Sequence, residues 1–149
     1  MSYLDHFSAE RAGAIYAGVL KLLRSKRIFR QQGITARQIA EMMGEDARSI
    51  SAAIALQSGE TFLALLARIR VREACRLLRS SQHAEMPVEN VGLKAGFFSR
   101  QAFHSAFNRI VGMTPLQYRS QSLSEEPLPL PAPPAPPVLV FKRTRCRKA

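Results

Sequence analysis

Residues 88–119, VENVGLKAGFFSRQAFHSAFNRIVGMTPLQYR, carry the pattern from which the fold follows. Val88, Val91, Leu93 and Ala95 make a short apolar stripe, and Gly96 ends it. Glycine reaches φ > 0 at a helix C-terminus without a steric penalty. Phe97 then reads as a buried plug, and Ser99 stands where an N-cap belongs. Beyond it Ala102, Phe103, Ala106, Phe107 and Ile110 fall on one face at a 3.6-residue period. Arg100, Gln101, His104, Ser105, Asn108 and Arg109 are left on the other face. The stretch therefore predicts a short helix, a glycine turn, a longer helix with a polar and basic outer face, and a short closing segment.

Moving toward the N-terminus, a second unit repeats that order. Thr35-x-x-Gln38 has the capping-box pattern that opens a helix. Ile39, Ala40 and Met43 point inward, Gly44 makes the turn, and Asp46 caps a helix over residues 47–58 with Ile50, Ala53 and Ile54 buried. Between the two units, residues 61–80 form a helix rich in Leu, Ala and Arg, with Phe62, Leu65, Leu66, Ile69, Ala74, Leu77 and Leu78 as its core positions. Arg68, Arg72, Arg76 and Arg79 recur along it as a basic ridge, with Glu73 beside them. Ahead of all this, Ala12, Ile15, Val19, Leu22 and Leu23 mark an amphipathic helix from Ser8 to about Arg30. Its outer face carries Lys21, Arg24, Lys26, Arg27 and Arg30.

Composition agrees with an all-α domain. Glycine and proline are scarce until residue 127, and strand-like alternation is nearly absent; 46% hydrophobic residues suffice for a core. Twenty-two Lys and Arg against eleven Asp and Glu give a formal charge of +11, which suits a polyanionic partner. Two cysteines, Cys75 in an apolar helix and Cys146 near the end, do not make a disulfide framework. No stretch reads as a signal peptide or as a membrane span. After residue 122 the composition shifts: seven prolines fall within Pro127–Pro137, then Val138–Phe141 precede five positive charges ending at Lys148. That segment, residues 123–149, predicts an extended, disordered tail.

Gly96-Phe97-x-Ser99, Phe103-x-x-x-Phe107 and Gly112-Met113-Thr114-Pro115-x-x-Tyr118-Arg119 together resemble the signature of the AraC/XylS-type DNA-binding domain. Arg70-x-x-x-Ala74-x-x-Leu77-Leu78 is similar to that family's connector helix, and two helix-glycine-helix units match its duplicated motif. The resemblance covers residues 8–122, with a first helix-turn-helix at about 35–58, a connector at about 61–80 and a second helix-turn-helix at about 88–110. It implies a bacterial transcription regulator of the cytoplasm and nucleoid, an activator by the family's usual habit, which binds double-stranded DNA as a monomer and contacts RNA polymerase. A 20-residue connector is a rod of roughly 30 Å, close to the ~34 Å between successive major-groove faces on one side of B-DNA.

Site residues follow from the resemblance by position. Arg48, Ser51 and Ala52 of the first reading helix would face bases, as would Arg100, Gln101, His104 and Ser105 of the second. Arginine can read guanine and glutamine adenine in bidentate fashion. Thr35, Asp46, Ser99, Asn108, Arg109 and Arg119 are the phosphate-side candidates, with backbone amides at the helix N-termini cradling phosphates. Two departures stand out. The helix ARSISAAIALQS is poor in long polar side chains, and Asn108 stands where the family often places lysine. No cofactor, metal, membrane or small-molecule effector site is implied, and no enzyme motif is present. Residues alone leave two rivals open: a helical interaction adaptor with a proline-rich tail, and a nonspecific nucleoid binder driven by charge.

Overall fold

A computed structural model describes residues 7–124 apart from Lys26. Among them the chain is all-helical: α1 (Ala9–Ser25), α2 (Ala36–Met43), α3 (Ala47–Ser58), α4 (Phe62–Arg79), α5 (Val88–Ala95), α6 (Arg100–Val111) and α7 (Pro115–Ser124), with single 3₁₀ turns at Ile28–Arg30 and Ser81–His83. The expected tail lies outside the described residues from residue 125 onward, and Cys146 with it.

Local chemistry sets these boundaries. Ser8 Oγ accepts from the Arg11 amide at 3.1 Å and starts α1. Thr35 and Gln38 complete the capping box in both directions at 3.2 and 2.9 Å. Thr61 caps α4 through the Ala64 amide at 3.1 Å. Gly44 (φ 70°), Gly59, Gly96 (φ 110°) and Gly112 close α2, α3, α5 and α6 in the left-handed conformation.

The first expected helix is shorter than its pattern suggested. It stops at Ser25, Arg27 takes a left-handed φ of 52°, and a 3₁₀ turn follows. The reversal folds Phe29 and Ile34 back into the core rather than leaving them at the end of a rod. A second correction concerns Leu93, which is half exposed. Val88, Val91, Gly92 and Ala95 occupy the i, i+3, i+4, i+7 positions that face inward, and Leu93 falls between them.

The connector α4 shares itself between two cores. Phe62, Leu65, Leu66 and Ile69 join the first core with α1, α2 and α3. Val71, Ala74, Cys75 and Leu78 join the second with α5, α6 and Tyr118 of α7. Each set has i, i+3, i+4, i+7 spacing, and the second begins nine residues after the first. At about 100° per residue that offset is roughly half a turn, so the two stripes lie on opposite sides of one helix. The two subdomains therefore flank α4, which at 18 residues spans about 27 Å. In the second core Phe103, Phe107 and Tyr118 pack edge to face, with centroids 5.7 and 5.6 Å apart. Burial pushes the Cys75 thiol up to about 11, so this cysteine is an inert packing group.

Charges on α4 are largely satisfied by the protein itself. Arg68 is buried and pairs with Glu60 at 3.0 Å. Glu73 accepts from Arg76 at 2.7 Å and also from Arg30. The basic ridge is thus partly neutralised, with Arg68 held by Glu60 and Arg76 by Glu73. Hydrogen bonds from Arg76, then Arg30, hold the Glu73 carboxyl well below the ordinary 4.5, at about 2. A carboxylate with a depressed folded pKa stabilises the fold above its unfolded value and loses that contribution as pH falls toward the folded one. Glu73→Gln should therefore flatten the loss of stability between pH 4.5 and about 2, read from urea midpoints across that range; an unaltered slope would show that Glu73 is not the group responsible.

Candidate nucleic-acid interface

Each helix-turn-helix places a capped helix behind a glycine turn. Asp46 Oδ1 accepts from the Ser49 amide at 2.6 Å to open α3. Ser99 Oγ accepts from the Ala102 amide at 3.0 Å to open α6. These bonds, with that of Thr35, commit the three side chains to capping. What remains for an anion at these helix starts is backbone N–H and the positive end of the helix dipole. The Asp46 carboxylate is held below its ordinary pKa by the Ser49 amide, and its negative charge opposes a phosphate there.

On α6 the outward face holds Arg100, Gln101, Ser105, Asn108 and Arg109, all exposed. Arg100 rests 3.5 Å from Glu89 of α5 in a solvent-exposed pair, which is worth little and is easily exchanged for a base or phosphate. His104 is less available than its position suggested. Its ring stands edge-on to Phe103 at 5.6 Å, and Nε2 is covered without a hydrogen-bond partner. Arg119 is half-buried and turned inward, donating to the His83 carbonyl at 3.3 Å. It steadies the turn before α5 instead of standing free for phosphate. Pro87, Glu89, Arg100, His104, Leu116 and Arg119 enclose a cleft beside the start of α6.

On α3 the outward face is smaller. Arg48, Ser51 and Ala55 are exposed, but Ala52 is only 8% exposed. Helical spacing sets Ala52 about 100° or more from each of Ile50, Ala53 and Ile54, on the side of Arg48 and Ala55, with little of its methyl open to solvent. The structure thus gathers the exposed candidates into two groups, one per subdomain, and α3 and α6 both pack on α4.

Two features escaped the sequence reading. The closing segment is a full helix, α7, opened by a capping box in which Thr114 Oγ1 accepts from the Gln117 amide at 3.1 Å and Gln117 returns the bond at 2.9 Å. Thr114-Pro115-x-Gln117, with proline at the first helical position, carried that signal. Arg70 donates to two backbone carbonyls from another segment, which no local pattern reveals. Among the described residues no single helix is long and apolar enough to cross a membrane, and no three His, Cys, Asp or Glu side chains group as a metal site.

With this geometry in view, the relatives are informative. A family model described as a helix-turn-helix domain matches residues 39–121. The chain is 41% identical over 66 residues to the HTH-type transcriptional activator RhaR of Enterobacter sp. (strain 638), covering 44% of this chain and 22% of that protein. It is 27% identical over 115 residues to the HTH-type transcriptional regulator GlxA of Rhizobium meliloti (strain 1021), covering 77% of this chain and 35% of that protein. Among solved structures, the C-terminal domain of AraT, a response regulator from Geobacillus stearothermophilus, superposes with a TM-score of 0.64 at 26% identity, over 78% of this chain and 88% of that one. A Listeria innocua protein of unknown function shares the fold, with a TM-score of 0.59 at 23% identity, over 70% of this chain and 94% of that one. The chain belongs to the AraC-type helix-turn-helix family of transcription regulators. It spans far less than two thirds of the length of the two regulators it matches.

Proposed function

We propose that the chain is a sequence-specific DNA-binding transcription regulator whose α3 and α6 read two successive major-groove segments on one side of the duplex. The observation that carries this reading is α6: a capped helix whose exposed face sets Arg100, Gln101 and Ser105 in the first turns after its N-terminus. Reading helices present those turns to base edges. Arg100 and Gln101 have the fork geometries suited to guanine and adenine. Arg48 and Ser51 on α3 make a sparser second reader, consistent with discrimination by DNA shape. Asn108, Arg109 and the amides at the starts of α2, α3 and α6 are the proposed phosphate side.

The proposed DNA-binding unit extends from residue 8 to residue 124, because α7 continues to Ser124. The family's habits further suggest RNA polymerase as the partner through which a bound monomer acts, and a bacterial cytoplasm as the setting. The same membership supports a role in binding DNA.

Titration against a selected site and random DNA at two salt concentrations tests the reading. A regulator shows a gap of about 10³-fold or more between the two DNAs. A charge-driven nucleoid binder shows a steep salt slope without the gap, and a protein adaptor shows neither. Within that experiment Arg100→Ala should cost about 1–3 kcal/mol on the selected site and relax preference at one base pair. Unchanged affinity and preference would remove Arg100 from the reading set.

A further inference from the structure

The glycine turn of the second motif is packed against the segment that follows α1. A Cβ on Gly96 would stand 2.6 Å from the Phe29 carbonyl oxygen, 2.8 Å from Arg70 Nε and 2.9 Å from Arg30 Cα. Arg70 sits in the middle of α4 between Ile69, the last residue of the first apolar stripe, and Val71, the first of the second. It belongs to neither core. Its Nε donates to the Phe29 carbonyl at 2.7 Å and its Nη2 to the Gln31 carbonyl at 2.9 Å. The same guanidinium lies 5.9 Å from the centroid of Phe97, next to Gly96. Gln32 reaches the Phe97 carbonyl at 3.5 Å, and Arg30 pairs with Glu73 one turn along the connector.

These contacts tie the first subdomain, the connector and the second turn together at one point. A single helix gripped on opposite faces by two small cores can bend and twist along its length. A planar guanidinium held by two carbonyls and laid against a ring admits one arrangement. We propose that Arg70 is a positioning residue that locks the two subdomains at one separation and rotation, and so fixes the number of base pairs tolerated between the segments read by α3 and α6. This role rests on the two-segment reading above. One added base pair shifts the second segment by about 3.4 Å and rotates it by about 34°. A locked protein does not follow that displacement, whereas a loosened one does.

The test uses the full chain carrying Cys146→Ser with spin labels at Ala17→Cys on α1 and Asn90→Cys on α5, both exposed positions, while Cys75 is fully buried. Pulsed electron–electron distance measurements without DNA should give one narrow distribution. Arg70→Ala and Arg70→Lys should both broaden it, because lysine keeps the charge and loses the fork. On duplexes in which the two selected segments are moved apart by one base pair, the unsubstituted chain should lose about tenfold in affinity, and the Arg70 variants about threefold or less. If Arg70→Ala does not fold, Arg70→Lys decides. An unchanged distance distribution overturns the brace, whatever the DNA series shows. A broadened distribution with the unsubstituted chain indifferent to the added base pair overturns the two-segment reading, and the spacing role with it.

Discussion

Gly96→Val is expected to destabilise the protein by about 3 kcal/mol or more. Two independent costs meet at this residue. At φ 110° a β-branched side chain is strained regardless of its surroundings. A Cβ there would also stand 2.6 Å from a backbone carbonyl that cannot rotate away, because the Phe29 oxygen is fixed by its bond to Arg70. Gly44 supplies the comparison. It occupies the equivalent turn of the first motif at φ 70°, with nothing within 4 Å of the place that a Cβ would take. Gly44→Ala should therefore cost only the backbone component, about 1 kcal/mol. Urea midpoints of the two variants read the difference. Equal losses would mean that the second turn is not crowded against the first subdomain.

Inserting one alanine between Arg70 and Val71 is expected to have a still larger effect. The insertion rotates everything beyond it by about 100° and advances it by about 1.5 Å. Val71, Ala74, Cys75 and Leu78 then no longer face the second core if Phe62, Leu65, Leu66 and Ile69 keep the first. Burying one aliphatic side chain contributes about 1.5–3 kcal/mol, and a domain's whole stability is about 5–15 kcal/mol. Misplacing Val71 and Leu78, together with the close-packed Ala74 and Cys75, should leave one subdomain unfolded, seen as a loss of helical circular dichroism and a reduced unfolding amplitude. An inserted chain that melts as a single unit at the usual temperature would show that the phase shift between the stripes is not what seats the subdomains.

Much of this arrangement was legible in the residues. Capping pairs such as Thr35 with Gln38, the glycines at 44 and 96, and the stripe of Phe103 and Phe107 are local signals, with all partners within a turn or two. The same holds for the outward face of α6. Legibility failed where distant segments decide the outcome. Phe29 had helical surroundings in sequence, yet its burial in the first core ends α1 early. Arg119 looked like a surface donor by position, yet it turns to the His83 carbonyl 36 residues away, and His104 Nε2 is covered. Ala52 is only 8% exposed although periodicity sets it well away from Ile50, Ala53 and Ile54. Arg70 matched a connector pattern, but its two carbonyl partners lie about forty residues away in the chain.

On the proposed function, one chain reads two groove segments at a fixed spacing. Selection of bound duplexes from a random library, followed by sequencing, tests it most directly. The expected result is a site with two blocks of constrained bases, their centres about one helical turn (10–10.5 base pairs) apart, the block under α6 the more sharply defined. A single constrained block, or bound sequences no different from the starting library, would contradict it.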